Sequence, residues 1–218
     1  GDVMKTKNSM AVTALSRYGF NQLVGYTVPS WYGKGGWGTL GMLFSNHDNS
    51  SLAEAWYLNN QFILDETMTR FPKLMDVHFN SPDISGIKDD PEFSKGMAAA
   101  GYGMGKDQMG LIHDRDTVAF YGDPAWVARL DESHAKSPWH ISWNDPEDAA
   151  KGFTVTANKD AKGRLGVWFP NRISTKTATV TVGDAATPVD KMGLLTNDFL
   201  LLRELELKKG EKAVVEMK

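Results

Sequence analysis

Cysteine is absent from the 218 residues, and with it go disulfides, thiolate metal sites and any cysteine nucleophile in this stretch of chain. Positive charge is in no surplus either: 24 Lys and Arg stand against 27 Asp and Glu, a formal net charge of -3. That balance cannot neutralise a phosphate backbone, so nucleic acid and anionic membranes are poor partners. No run approaches the roughly 18 to 20 apolar residues of a membrane span. The opening Gly1-Asp2-Val3-Met4-Lys5 has no apolar signal core, and no G-x-S-x-G nucleophile elbow occurs. What remains is the composition of an ordinary globular protein, 41% hydrophobic and 23% charged, able to bury a sizeable core. The length allows one large or two modest domains, and two is the reading taken.

The first element predicted is a helix from Asn8 to Tyr18, with Asn8 or Ser9 as cap, Met10, Ala11, Ala14 and Leu15 at helical spacing, and Gly19 as stop. A buried strand follows at Gln22 to Val28 and ends at Pro29. Ser30 to Gly38 then reads as a loop in which three large aromatics, Trp31, Tyr32 and Trp37, alternate with four glycines. Ser51-Leu52-Ala53-Glu54 has capping-box spacing and opens a long helix towards Arg70-Phe71, stopped by Pro72. Asp90-Pro91 starts another helix. Gly105 to Tyr121 stays ambiguous, with helix the reading offered, and closes on Gly122-Asp123-Pro124. Beyond Ala125 the texture changes to short alternating strands. Ala125 to Leu130 is one; Phe153, Val155 and Ala157, then Leu165, Val167 and Phe169, then Ala178, Val180 and Val182 alternate with polar residues; Phe199 to Leu207 and Lys212 to Met217 complete the set. About six strands in this span fit a small sandwich. The chain is thus expected to be α/β over 1–124 and an all-β sandwich over 125–218.

Candidate chemistry is thin. Gly33-Lys34-Gly35-Gly36-Trp37-Gly38 satisfies G-x-G-x-x-G only literally, since the acidic residue expected about 20 positions on, Glu54, sits in a capping box instead. The histidines, His47, His78, His113, His134 and His140, form no i, i+4 pair on a predicted helix. His113-Asp114-Arg115-Asp116 and His47-Asp48-Asn49 are the most metal-like clusters, and both read as solvated turns or helix faces with charge partners. No pair of carboxylates is singled out for glycosidic work. No cofactor is expected, and a metal is left open. The aromatic loop has two readings: its rings pack back onto the domain, or Trp31, Tyr32 and Trp37 form a recognition surface for a peptide side chain or a sugar.

The order of features from about residue 9 onward, with Ser30-Trp31 after the strand and Gly122-Asp123-Pro124-Ala125-Trp126 before the sandwich, resembles the C-terminal half of the gingipain-type cysteine peptidases. That resemblance implies a partial caspase-like α/β domain, closed by the Gly-Asp-Pro, and a directly following immunoglobulin-like domain. It implies that Trp31 lines the pocket for the residue before the scissile bond, so that the loop is a pocket wall. It also implies a bacterial, exported protein acting on a peptide or protein substrate. The chain departs from the family in having no cysteine and no His-Gly pair, so the family's catalytic histidine and cysteine would lie upstream. By itself it is expected to contribute pocket wall and scaffold, not peptidase activity. A non-catalytic exported binding or adhesion protein, holding a glycan or peptide through the aromatic and glycine-rich segment, is the alternative.

Overall fold

The computed structural model describes residues 9–30, 32–46, 50–79, 90–127 and 137–218. Helices and antiparallel sheets both occur, so the chain is mixed α/β. It divides into two compact units, residues 1–40 with 59–127 and residues 41–58 with 128–218. The division cuts two helices, so residues 41–58 group with the later strands and not with their sequence neighbours.

In the first unit, α1 (Met10–Arg17) is capped by Ser9, whose hydroxyl accepts from Val12 N–H. Its single basic residue in the last turn, Arg17, suits the negative end of the helix. β1 (Gln22–Tyr26) follows and pairs antiparallel with β2 (Val118–Gly122), Gln22 facing Gly122 and Tyr26 facing Val118. Between them lie α2 (Lys34–Asn46), α3 (Leu52–Arg70), a 3-10 turn at Pro72–Asp76, α4 (Pro91–Ala100) and α5 (Lys106–Thr117). Asp90 caps α4 by accepting from Glu92 and Phe93 N–H, with Pro91 in the first turn and Gly101 in the left-handed conformation at the end. Leu74, Val77, Phe79, Phe93, Met97, Met109 and Ile112 form the apolar core of the helical part.

Three segments differ from expectation. The supposed loop 30–38 is helical from Lys34, although glycines at 35, 36 and 38 each cost about 1 kcal/mol of helix propensity; close packing, described below, overrides that cost. The ambiguous stretch 105–121 is a helix to Thr117 and a strand from Val118, because Val118-Ala119-Phe120-Tyr121 pairs with β1. Ala125–Val127, expected to begin a strand, is turn and irregular chain; the rest of that strand, 128–130, lies outside the described residues. The turn has a clear cause. Asp123 Oδ1 accepts from Ala125 N–H at 2.9 Å, while Gln22 Nε2 donates to Asp123 O at 2.6 Å and Trp126 O at 2.7 Å. Gly122 enters the turn with φ +111°, and a Cβ there would sit 2.2 Å from Asn21 O.

The second unit holds two antiparallel sheets. One has the order β3 (Trp139–Trp143), β4 (Phe153–Ala157), β10 (Lys212–Met217), β6 (Ala178–Val182), β7 (Ala185–Pro188); the other is β5 (Ala161–Trp168), β9 (Phe199–Leu207), β8 (Gly193–Leu195). A short α6 (Val189–Met192) links β7 to β8. Inward residues of both sheets, among them Trp139, Phe153, Val155, Leu165, Val167, Val180, Leu200 and Val215, share one core. The alternation read at 153–157 and 178–182 is thus an alternation of buried and half-buried side chains, with Val182 at the end of its strand only half-buried. On the same unit, α3 opens with the expected capping box: Ser51 N–H donates to Glu54 Oε2 at 2.6 Å and Glu54 N–H to Ser51 Oγ at 3.3 Å.

Phe153 has no exposed surface, so truncating it leaves a cavity between the two sheets. Phe153→Ala is expected to lower stability by about 3 to 5 kcal/mol, read as a shift of the urea midpoint at unchanged slope.

Candidate functional site

The densest polar constellation lies where α5 runs beneath the first turn of α2. Asp114 and His113 are fully buried, at 0% exposure. Asp114 Oδ2 accepts from Gly35 N–H at 2.8 Å, its Oδ1 stands 3.2 Å from His113 Nδ1, and Gly36 N–H donates to Tyr26 Oη at 3.2 Å. The His113 ring stacks on Tyr26, with centroids 5.8 Å apart and planes 23° apart. A buried carboxylate is costly unless donors meet it. Here the Gly35 N–H at the positive dipole end of α2 does so. Burial is the main reason the Tyr26 phenol titrates above its ordinary range; the Gly36 N–H opposes that shift and the Asp114 charge adds to it.

Glycine is required by this contact. A Cβ at Gly35 would lie 2.1 Å from Val118 Cγ2, and one at Gly38 would lie 2.3 Å from Asn59 Oδ1. Asn59, itself fully buried, donates Nδ2 to Lys34 O and Gly35 O at 3.1 and 3.0 Å. Thr39 Oγ1 also donates to Gly35 O, at 2.7 Å. One helix turn is thereby held from both sides. Next along α5, Arg115 donates to Leu74 O at 3.1 Å and to Asp116 Oδ1 at 2.6 Å, and Asp116 Oδ2 accepts from Phe79 N–H at 2.8 Å.

Outside this anchor runs a ladder of charges. Lys34 Nζ meets Glu66 at 2.7 and 2.9 Å, Arg70 bridges Glu66 at 2.6 Å and Asp107 at 2.8 Å, and Tyr32 Oη donates to Asp107 Oδ1 at 3.0 Å. Lys34 also stands 5.5 Å over the Tyr32 ring. The guanidinium of Arg70, and after it the Tyr32 hydroxyl, hold the Asp107 carboxyl below its usual range. Burial first, and then the hydrogen bond to Asp107, push the Tyr32 phenol well up. Since Asp107 and Arg70 are nearly half exposed, each pair contributes only about 0 to 1 kcal/mol.

Of the expected site residues, Tyr32 and Trp37 are among those described. Tyr32 is half-buried, its ring lying on α5 where a Cβ at Gly110 would be 2.3 Å away. Trp37 is 76% exposed on the first turns of α2. Trp31 lies outside the described residues, as do His47 and His134. The G-x-G-x-x-G run does open a helix after a strand, but Asp114 already occupies the Gly35 N–H with a negative charge where a pyrophosphate would need a donor. The run His113-Asp114-Arg115-Asp116, expected to be solvated, is instead an internal anchor for its first two members. The signal that could have found this is its flank: His113 and Asp114 follow directly on the buried Leu111-Ile112, while the chain surfaces only at Arg115 and Asp116. Among the described residues no group of three or more His, Asp or Glu side chains could hold a metal ion. No protein-family model, curated protein or solved structure matches this chain.

Two glycines of α2 should respond oppositely to alanine. Gly35→Ala forces a methyl into Val118 and is expected to cost about 1 to 3 kcal/mol. At Gly41 nothing lies within 4 Å of the added Cβ, so Gly41→Ala should gain about 0.5 to 1 kcal/mol of helix propensity. Urea midpoints of the two variants check the sign of each.

The lowered titration of Asp107 sets a pH window. A carboxyl depressed in the folded state contributes stability above its unfolded pKa of roughly 3.9 and loses it as pH falls through the folded value. The stability advantage of the unaltered chain over Asp107→Asn is therefore expected to be full at neutral pH and to shrink below about pH 4, measured by denaturation of both proteins across that range.

Proposed function

We propose that this chain is the C-terminal portion of a gingipain-like cysteine peptidase that carries pocket wall and scaffold but not the nucleophile. In this reading the first unit is part of a caspase-like α/β domain and the second is the immunoglobulin-like domain after it. The observation that carries the proposal is the Gly122-Asp123-Pro124 turn. It begins at the last residue of β2, it is locked to the start of β1 through Gln22, and the strands of the second unit come next in the chain. Trp37, a large aromatic exposed on the first turns of α2, supports a recognition role for this region, since a rigid indole supplies contact area at low ordering cost. Trp31 and Tyr32 would complete the wall, Tyr32 through the ring packed on α5. The thiolate attacking the peptide carbonyl, and the histidine that carries its proton, would come from residues outside this chain. Export to the periplasm, cell surface or medium belongs to the same proposal.

The second reading, a non-catalytic exported binding or adhesion protein, draws on the same exposed Trp37 together with the lack of any cysteine. The full-length protein separates the two. Peptide turnover that is blocked by a thiol-alkylating reagent and by substitution of an upstream cysteine, with no turnover by the 218-residue chain alone, is the expected result. Turnover by the short chain that survives repurification, or a full-length protein in which no cysteine precedes this segment, would overturn the proposal.

A further inference from the structure

A peptide bond between aspartate and proline is chemically unlike its neighbours. The proline nitrogen carries no hydrogen and leaves as a secondary amine once it takes up a proton. The carboxyl of the preceding aspartate reaches its own carbonyl carbon by closing a small ring, so nucleophile and target are already held together. The chain has three such bonds, Asp90-Pro91, Asp123-Pro124 and Asp145-Pro146.

The fold treats the three differently. Asp90 spends Oδ1 on the N–H groups of Glu92 and Phe93, and its carbonyl accepts from Ser94 N–H at the start of α4. Asp145 gives Oδ2 to Lys151 Nζ at 2.7 Å and Oδ1 to Glu147 N–H at 2.9 Å, while its carbonyl accepts from Asp148 N–H at 3.2 Å. Each of those carbonyl oxygens thus meets one backbone donor among the described residues. The Asp123 carbonyl oxygen meets two donors: Gln22 Nε2 at 2.6 Å and Trp126 N–H at 3.2 Å. Both are aimed where negative charge gathers if the carbonyl carbon is attacked. The Gln22 amide also donates to Trp126 O at 2.7 Å, and with carbonyl oxygens on both sides its NH2 must face them. Gln22 stands opposite Gly122 in the β1–β2 ladder, so this donor is in place before any reaction begins. Asp123 Oδ1 accepts from Ala125 N–H at 2.9 Å, which folds the carboxyl forward along the bond to Pro124. Gly122 to Trp126 are exposed, within reach of water.

We propose that Asp123-Pro124 is a site of acid-dependent self-cleavage. A carboxyl oxygen of Asp123 forms a bond to the Asp123 carbonyl carbon, and Gln22 Nε2 and Trp126 N–H meet the charge that builds on the carbonyl oxygen. The C–N bond then breaks with its electron pair on the Pro124 nitrogen. That nitrogen takes the proton given up by the carboxyl, and Asp123 is left as a cyclic anhydride. Water opens the anhydride, so the sum is hydrolysis of one peptide bond. Acid is required because an ionised carboxyl has no proton to give the leaving nitrogen. Pro124 becomes a new amino terminus and Asp123 a new carboxyl terminus. The 1–123 piece keeps Met42, Tyr57 and Leu58, which pack on Gly166 and Trp168 within the second unit, so the cut protein stays associated. The step needs no residue from outside the chain and does not depend on the peptidase reading.

The test holds the purified 218-residue chain at the lowest pH between about 4 and 5 at which it still melts cooperatively, close to where ordinary carboxyls titrate. Products are denatured and followed by mass spectrometry. Cleavage after Asp123 is expected to run about tenfold or more ahead of cleavage after Asp90 and Asp145, and to slow towards neutral pH. In concentrated guanidinium at the same pH, where the Gln22 contact is lost, the three rates should converge. In oxygen-18 water the label should enter both carboxyl groups of the new terminal Asp123, since water opens an anhydride at either carbonyl; direct hydrolysis labels the α-carboxyl alone. Gln22→Met keeps the length and removes the donor, and should slow cleavage about tenfold. Asp123→Asn keeps an acceptor for Ala125 N–H and should abolish it. Melting temperatures show whether the variants are folded, and the comparison of bonds and the label position need no variant. Equal rates at the three bonds of the folded chain overturn the inference. So does faster cleavage after Asp123 in guanidinium, label confined to the α-carboxyl, an undiminished rate in folded Gln22→Met, or an intact Asp123-Pro124 bond.

Discussion

The buried Asp114 carboxylate fixes more of the first unit than any other group. An isolated charge with no exposed surface would be several kcal/mol too costly to keep, so the structure around it must supply donors and hold them still. The donor is Gly35 N–H at the positive end of α2, and once that contact exists the consequences spread. Residue 35 cannot carry a Cβ, because Val118 stands there. Tyr26 must present its hydroxyl to Gly36, and His113 must lie flat against Tyr26. The place where α2 begins, and so the outward direction of Trp37, follows from a charge that solvent does not touch.

The same four-residue run reaches in the other direction. Arg115 caps carbonyls at the end of the 3-10 turn and Asp116 takes the N–H of Phe79, which brings Phe79 to the His113 ring with centroids 5.1 Å apart. Consecutive residues on one helix point about 100° apart, and this is why a short run can serve several neighbours: each member addresses a different element. The second unit is organised differently. Its core is apolar side chains from two sheets, and its sheets are joined by backbone ladders that depend little on side-chain identity.

That contrast explains what could be read from the sequence. Strands 153–157, 178–182 and 212–217 were legible because alternation reports directly which face is buried, 199–207 because it is a long apolar run, and the capping box of α3 and the proline start of α4 because local hydrogen bonds set them. What could not be read was set by distant residues. The glycines at 35, 36 and 38 argue against a helix by propensity, yet they are there so that a helix can approach Val118 and Asn59 closely; tertiary contact reverses the local preference. His113 and Asp114 look like a solvated pair because burial of charge depends on a donor 79 positions away. β2 escaped notice for a similar reason, since its partner β1 lies almost a hundred residues earlier.

Of the three aromatics grouped by sequence, Tyr32 and Trp37 are described, and the two are held differently. Tyr32 is held by its hydroxyl to Asp107 and by its ring to the bare backbone of Gly110, so it is a fastener whose polar end is already used. Trp37 is fastened by one edge only and gives the rest of its area to solvent. A large exposed aromatic is tolerated on many surfaces, but few are braced by a left-handed glycine and underlain by a buried carboxylate that fixes the helix bearing them. Rigidity of that kind adds nothing to an indole that merely meets water. It lowers the ordering cost of an indole that binds something, which is why the proposed recognition role rests on Trp37 rather than on the glycines that surround it.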